Sequence, residues 1–224
     1  VAQDNQQAVA WYQKAANQGY AQAQYNLGAM YENGKGVKQD SKQAFAWYQK
    51  AANQGFAAAQ FNLGAMYDNG QGVAQDAKQA MAWYLKAANQ GDTQAQYNLG
   101  MMYNEGRGVA QDEKQAMAWF QQAANLGDVK SQYALVNMYR QGQGVAQDEK
   151  QAAQWYQKAA NQGHTAAQFN LGVMYYNGLG VAQDDQQAKA WWQKVLAQPD
   201  TPDNVEAKAA ARAGLEALKN IGAH

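Results

Sequence analysis

Residues 46–55 read Ala-Trp-Tyr-Gln-Lys-Ala-Ala-Asn-Gln-Gly, and this stretch decides the fold because close copies of it recur along the chain. Its tryptophan has counterparts every 36 residues, at positions 11, 47, 83, 119, 155 and 191. A register kept this strictly over 224 residues indicates one supersecondary unit that is copied and stacked. The sequence therefore predicts a solenoid, in which each repeat contacts its neighbours.

One unit extends over residues 40–75 and predicts two helices. The first helix begins after an N-cap, Asp40, carries small and aromatic residues at helical spacing, and ends at Gly55. The second helix covers about residues 56–69, and Gly70 is its left-handed stop. No segment alternates with a period of two, so the sequence predicts no strand.

Three recurring strings carry a resemblance to a known family. They are the stretch at 46–55, Ala-Gln-Tyr-Asn-Leu-Gly-Ala-Met-Tyr at 23–31, and Asn-Gly-Lys-Gly-Val at 33–37. They resemble Sel-one-like repeats (SLR) of the bacterial type, relatives of tetratricopeptide repeats, over nearly the whole chain. Gln24 and its counterparts stand where tetratricopeptide units often carry Trp, which favours the Sel-one-like branch. The resemblance implies an all-α, right-handed superhelical solenoid of antiparallel helix pairs, with the second helices on its concave face.

The repeat pattern fails where Gln198-Pro199-Asp200-Thr201-Pro202 replaces the Asn-Gln-Gly turn. We expect a repeat array over residues 1–197, about five and a half repeats, and then a Pro-containing linker and capping helix over residues 198–224. The last helix is expected to begin near Asp203. The terminal repeats of a solenoid need a polar, solvent-exposed outer face, which such a helix would supply.

Composition and motifs exclude several kinds of site. The chain has no Cys, and its two imidazoles, His164 and His224, lie far apart in sequence. The Gly-x-Gly triplets follow helices, as C-caps do, and the Asp column (4, 40, 76, 112, 148 and 184) recurs at helix starts, as N-caps do. No Ser lies in a recognisable nucleophile motif. We therefore predict no catalytic residue, no metal site, no cofactor and no enzymatic activity.

The charge balance argues against two classes of partner. Lys plus Arg number 18, as do Asp plus Glu, so no net field attracts nucleic acid or an anionic membrane. The longest apolar runs are a few residues long, which argues against membrane insertion. We expect a protein or peptide partner and a monomeric chain.

The second helix of each pair supplies the candidate partner-binding residues. Its aromatic position lies beside the Leu-Gly pair, where a concave face would place it, and Asn follows that position in most repeats. An amide both donates and accepts, so such a row suits the backbone of an extended peptide. The alternative, that the Asn side chains only brace neighbouring helices, is equally open. The predicted residues are Tyr25, Asn26, Phe61, Asn62, Tyr97, Asn98, Phe169 and Asn170.

The segment 128–141 departs most from the other repeats. Lys130, Tyr133, Asn137 and Arg140 follow the spacing of a single helix face and complete the predicted site. They would form a local basic patch that pairs with an acidic side chain or a terminal carboxylate of a partner. Ordinary surface variation explains the same residues equally well.

Two further expectations concern packing. The Trp column and the aromatic residues next to it are predicted to form the core between helices. Val136 stands where four other repeats have Gly and should push the helices apart, and we suspect that Ala153 compensates because it stands where Phe45, Met81 and Met117 occur.

The resemblance implies protein binding, so the leading hypothesis is a non-enzymatic interaction scaffold or adaptor. One alternative is an immunity-type inhibitor of a bacterial effector, a role that some family members have. A contrasting alternative is a hydrolase of cell-wall or β-lactam compounds, as proposed for cysteine-rich relatives, and the absence of Cys argues against it. The chain begins inside a repeat without Met, so we expect a missing N-terminal segment that could have held a signal peptide, and we favour a periplasmic or secreted location over a cytoplasmic one.

Overall fold

The structure is a computed structural model that describes residues 2–221, with the side chains of residues 3–220. Residue 1 and residues 222–224, which belong to the two predicted domains and include His224, lie outside the described residues. Within residues 2–221 there is no strand. The helices are α1 (Ala2–Asn17), α2 (Ala21–Asn33), α3 (Ser41–Asn53), α4 (Ala57–Asn69), α5 (Ala77–Ala88), α6 (Thr93–Glu105), α7 (Glu113–Asn125), α8 (Val129–Gln141), α9 (Glu149–Asn161), α10 (Thr165–Asn177), α11 (Asp185–Ala197) and α12 (Val205–Ile221).

The helix boundaries follow the capping residues predicted from the sequence. Asp40 Oδ1 accepts hydrogen bonds from the backbone N–H groups of Lys42 and Gln43, at 3.0 and 3.1 Å. The same arrangement recurs at Asp76, Asp112, Asp148 and Asp184. At the C-terminal end of α4, Gly70 adopts φ +66° and its N–H donates to the carbonyl of Met66. These Asp residues are helix caps, as predicted.

Helices pack in sequential pairs within each of two units. The chain divides after Ala123, with α1 to α6 on one side and α8 to α12 on the other. Successive helices contact each other within a unit, and three-residue connections such as 18–20 reverse the chain direction between them. The predicted all-α solenoid of helix pairs is confirmed. The boundary predicted at residue 197 stays a prediction.

The core lies between successive helices, and the Trp column contributes unequally to it. Trp47, Trp155 and Trp191 are buried, as predicted, whereas Trp83 is half-buried. The prediction is wrong at Trp11, which is 70% exposed because α1 packs mainly against α2. Most of the largest fully buried side chains are instead aromatic residues next in sequence to Trp and a Leu that recurs in each even-numbered helix: Tyr48, Tyr84, Phe120, Leu27, Leu63, Leu99, Leu135 and Leu171.

A glycine follows four of these Leu residues, all except Leu135, and allows close approach of the next helix. A Cβ on Gly64 would lie 2.7 Å from Cδ1 of Tyr84, and the corresponding glycines of α2, α6 and α10 face Tyr48, Phe120 and Trp192. By analogy with these glycines Val136 faces Tyr156, and the suspected pairing of Val136 with Ala153 stays a prediction. Tyr156 stands edge-on to Tyr133, at 80°, whereas the equivalent ring pairs make 39°, 39°, 45° and 28°. The ring pair in the repeat that carries Val136 thus differs in orientation from the other four.

The last helix begins slightly later than predicted. Pro202 opens a 3₁₀ turn, Pro202–Asn204, and α12 follows at Val205. The buried Asn204, rather than Asp203, organises this start. Its Oδ1 accepts from Thr201 N–H at 3.1 Å, and its Nδ2 donates to the Pro199 carbonyl at 2.7 Å. The following helix packs Ala211 against the cluster that contains Trp192.

Candidate functional site

The five predicted aromatic residues of the even-numbered helices are half-buried and pack onto the next odd-numbered helix. Ring centroids of Tyr25 and Tyr48 lie 5.6 Å apart. The other pairs are Phe61 with Tyr84 at 5.7 Å, Tyr97 with Phe120 at 5.7 Å, Tyr133 with Tyr156 at 5.5 Å, and Phe169 with Trp192 at 6.4 Å. Each ring therefore keeps only part of its surface for a partner.

The predicted Asn side chains also have neighbours within the protein. Asn26 Oδ1 accepts a hydrogen bond from Gln22 Nε2 at 3.1 Å. Burial raises the pKa of Tyr48, and the amide of Asn62 beside the hydroxyl opposes that shift. Likewise, the amides of Asn98 and Asn170 lie beside the hydroxyl groups of Tyr84 and Tyr133 and oppose the rise in pKa that burial causes there. These contacts are of the bracing kind that the alternative interpretation describes, and they leave the amides only partly available to a ligand.

Acidic side chains at the ends of α2 and α4 engage the next helices, which the sequence analysis did not foresee. The Tyr48 hydroxyl donates to Glu32 Oε2 at 2.6 Å. Asp68 pairs with Arg107 at 2.5 Å, and burial together with the Asp68 charge raises the pKa of Tyr84 to about 12. The sequence varies between repeats at this position, which holds Glu32, Asp68, Asn104, Arg140 and Tyr176. The spacing of these residues does not show that the position faces a tyrosine.

The four predicted residues of α8 lie together at one helix face. Lys130, Asn137 and Arg140 are exposed, and Tyr133 is half-buried. Arg140 Nε lies 3.6 Å from Glu149 Oε2, beyond hydrogen-bonding distance, and 47% of the Arg140 side chain is exposed. The guanidinium thus keeps donors for a ligand carboxylate, although a neighbouring carboxylate offsets part of its charge.

Tyr133 contributes a buried hydroxyl, in contrast to the exposed charged side chains of α8. Its hydroxyl lies beside the amide of Asn170. Its ring lies 4.8 Å from the imidazole of His164, whose Nδ1 accepts from Ala167 N–H at 3.3 Å. Burial lowers the pKa of His164, so this imidazole serves as a neutral N-cap.

A row of lysine–tryptophan contacts was also missed. Lys50 Nζ lies 4.3 Å from the ring centroid of Trp47, and the same pair recurs at Lys14, Lys86, Lys158 and Lys194, with distances from 3.8 to 5.0 Å. The fourth repeat has Gln122 at this position. The three-residue spacing on a helix was the available signal. These lysines lie over the aromatic rings, which restricts their mobility.

Buried glutamines explain the departure from the tetratricopeptide pattern. Gln60 Nε2 donates to the carbonyl of Ala52 at 3.2 Å, and Gln90 Nε2 donates to Gln60 Oε1 at 2.8 Å. Gln24 and Gln132 have the same two types of contact. A polar ladder therefore joins repeats where Trp would give apolar packing.

The described side chains contain no group of three or more His, Cys, Asp or Glu residues placed to hold a metal ion. Between residues 2 and 221, no helix is both long enough and apolar enough to cross a membrane.

The sequence model of the Sel1 repeat matches residues 1–20, 21–56, 57–92, 93–128, 129–164 and 165–198. The chain belongs to the Sel1 repeat family. The family predicted from the three recurring strings is therefore confirmed. Each full matched repeat joins an even-numbered helix to the odd-numbered helix that follows it.

Solved structures show the same fold. The c5321 protein, a protective antigen of uropathogenic Escherichia coli strains with an SLR fold, is 38% identical with a TM-score of 0.80 over 91% of this chain and 48% of that chain. A Sel1 repeat protein from Oxalobacter formigenes is 32% identical with a TM-score of 0.77 over 89% and 85%. The immunity protein Pa5087 from Pseudomonas aeruginosa is 26% identical with a TM-score of 0.52 over 88% and 78%.

The present chain spans about half the length of c5321. Comparison with curated proteins gives no significant match.

Proposed function

We propose that this Sel1 repeat protein is a non-enzymatic scaffold or adaptor that binds a partner protein or peptide on the face formed by its even-numbered helices. Sel1 repeats are generally a non-catalytic protein-interaction fold. The observation that carries the proposal is the cluster on α8, where Lys130, Asn137 and Arg140 are exposed on the helix face that also carries the half-buried Tyr133. No such combination occurs in the corresponding sequences of α2, α4, α6 and α10.

The proposed contacts divide by chemistry. In α8, Lys130 and Arg140 bind a carboxylate of the partner, and Asn137 pairs with its backbone. On the other even-numbered helices, the exposed edges of the aromatic rings supply apolar contact to the partner. The Asn side-chain amides there donate to backbone carbonyls of the partner after they give up their hydrogen bonds within the protein. The remaining proposed residues are Tyr25, Asn26, Phe61, Asn62, Tyr97, Asn98, Phe169 and Asn170.

Site-specific photocrosslinking tests the proposed face. A photoreactive amino acid replaces Asn137 in one variant and the exposed Gln79 of α5 in a matched control. In cells of the source organism, the α8 position should crosslink to one defined protein and the α5 position should not. The captured partner is then titrated calorimetrically against wild type, Lys130→Ala/Arg140→Ala, and the control Lys42→Ala/Lys114→Ala. Affinity should fall about tenfold or more only when the α8 charges are removed, since charge-assisted contacts contribute roughly 1.5–3 kcal/mol. Equal affinities would overturn the assignment of the face.

The likeness to the Pa5087 immunity protein favours a second candidate, an immunity-type inhibitor of a bacterial effector. Under this proposal the captured partner is toxic when it is produced alone, and co-production of the present chain restores growth. A scaffold would leave the activity of its partner intact. Turnover of a cell-wall or β-lactam compound by the purified chain would instead contradict the non-enzymatic proposal.

We further propose a monomer that does not bind nucleic acid and lies in the periplasm or outside the cell. The equal numbers of acidic and basic residues support the absence of nucleic-acid binding. The likeness to a protective antigen bears on the location, because an antigen that protects has to be accessible to the immune system. Light scattering, a DNA-binding titration at low salt, and cell fractionation test the three statements.

A further inference from the structure

A cleft of about 460 Å³ lies between α9 and α10 and the loop that follows α10. Its floor consists of Ala153 and Leu171, which are 3% and 1% exposed, and Tyr175 and Val181 form apolar walls. None of the twelve residues proposed above lines it. The cleft is therefore a separate feature of this repeat.

Other repeats of the same chain show what such a space holds. The place of Ala153 is taken by Phe45, Met81 and Met117 in the three preceding repeats. The ring of Phe45 packs edge-on against Tyr67 at 5.4 Å between centroids, and Tyr67 is the counterpart of Tyr175. Ala153 lacks the side-chain atoms that would make this contact, so the tyrosine ring keeps an apolar surface that its counterpart covers internally.

The walls of the cleft are held apart by close backbone packing. Gly180 adopts φ +67°, and a Cβ at this position would collide with the carbonyl of Glu149 in the first turn of α9. This backbone contact fixes the loop that carries Val181. Collapse onto Ala153 would break it, so the space is preformed.

The rim of the cleft is basic. Lys150 and Lys158 are exposed and line it, and no carboxylate does. Lys158 is also held 4.0 Å from the ring centroid of Trp155, which limits its freedom. An occupant should therefore combine an apolar side chain for the floor with negative charge at the rim.

We propose that this cleft is a docking site for an acidic segment of a partner protein, which inserts one Phe, Met or Leu side chain against Ala153, Leu171 and Tyr175. The inserted side chain takes the place that Phe45 occupies in its own repeat. Carboxylates on either side of it pair with Lys150 and Lys158. This binding mode uses no residue of the α8 patch and does not rest on the function proposed for it.

Peptide titration monitored by two-dimensional amide NMR tests the proposal on the full chain. The probe is the blocked peptide Asp-Asp-Phe-Asp-Asp, and the controls are Asp-Asp-Ser-Asp-Asp and Lys-Lys-Phe-Lys-Lys. The probe should shift amide signals of α9, α10 and the loop around Val181, with an affinity at least tenfold above both controls. Equal binding of the Ser peptide, or shifts centred on the other open cleft beside Lys189 and Leu218, would overturn the proposal.

Two variants locate the contact. Ala153→Met fills the cleft in the way that Met81 and Met117 do, and it should weaken probe binding at least tenfold. The matched control, Ala190→Met, places the same side chain at an exposed position of α11 and should bind as wild type does. Lys150→Glu/Lys158→Glu should also weaken binding at least tenfold, and this variant decides the matter if Ala153→Met does not fold. Wild-type affinity in either folded variant would refute the site.

Discussion

At the scale of single residues, the contact between Gly64 and Tyr84 shows how closely successive helices are fitted. A Cβ on Gly64 would lie 2.7 and 2.9 Å from two ring carbons of Tyr84, and 3.2 Å from the Ala80 carbonyl. Tyr84 is 1% exposed, so its ring has little space into which it can move. Where the chain does carry a larger residue at the equivalent position, Val136, the facing Tyr156 ring has a different orientation.

The Gly64→Ala substitution should lower the free energy of unfolding by about 1–3 kcal/mol, because the added methyl group overpacks the interface. In a Tyr84→Val background the clash with the ring is absent and only the 3.2 Å approach to the Ala80 carbonyl remains. The same substitution should therefore cost less than in the wild-type background, with helix propensity favouring Ala over Gly by about 0.5–1 kcal/mol. Urea denaturation of wild type, the two single variants and the double variant gives the coupling free energy between positions 64 and 84. Equal costs in both backgrounds would contradict the assigned contact.

The buried Tyr84 hydroxyl should make stability depend on alkaline pH. Burial and the Asp68 charge raise its pKa from the ordinary 10.0 to about 12. The folded state then keeps a proton that the unfolded chain loses, so this stabilising contribution is complete below pH 10 and is lost as pH rises through about 12. Urea denaturation between pH 8 and pH 11 should show a shallower decline for Tyr84→Phe than for wild type. The exposed-site control Tyr20→Phe should follow wild type.

At the scale of helices, the Asp caps set where the odd-numbered helices begin. Asp76 Oδ1 satisfies the backbone N–H groups of Lys78 and Gln79, at 3.0 and 3.1 Å, which the helix itself leaves without partners. The Asp carboxylate also lies at the positive end of the helix dipole. Among the even-numbered helices, α2 and α4 begin without a side-chain cap, whereas Asp92, Asp128 and His164 cap α6, α8 and α10.

Substitution of Asp76 by Ala should therefore cost about 0.5–2 kcal/mol, whereas Asp76→Ser should cost much less, because the hydroxyl can accept the same hydrogen bonds. Guanidinium chloride denaturation measures both variants. The exposed Asp185, which follows a cap instead of forming one, provides the control, and Asp185→Ala should change stability by less than about 0.5 kcal/mol. A comparable loss at position 185 would show that general charge, and not capping, is responsible.

At the scale of the whole molecule, the sequence predicts the helix pairs well because periodicity and capping are local and recur in every repeat. The contacts between consecutive helices were not predictable in the same way. Whether Glu32 faces solvent or the Tyr48 hydroxyl depends on how two helices are juxtaposed, and the spacing of residues along one helix does not contain that information. The same limit applies to Arg140, which the sequence places on a helix surface and the structure places near Glu149. Trp11 shows the limit for burial, since the same residue type is covered in one repeat and exposed in another.

Because each repeat contacts its neighbours, a core substitution should destabilise its own surroundings more than distant repeats. Leu63 and Leu135 are both 0% exposed and occupy equivalent positions in different units. Leu63→Ala and Leu135→Ala should each cost about 2–5 kcal/mol. Hydrogen–deuterium exchange measured by mass spectrometry should then accelerate mainly in α3 to α6 for Leu63→Ala and mainly in α8 to α10 for Leu135→Ala. Uniform acceleration in both variants would show that the chain unfolds as one cooperative body, and the nearest-neighbour description would fail.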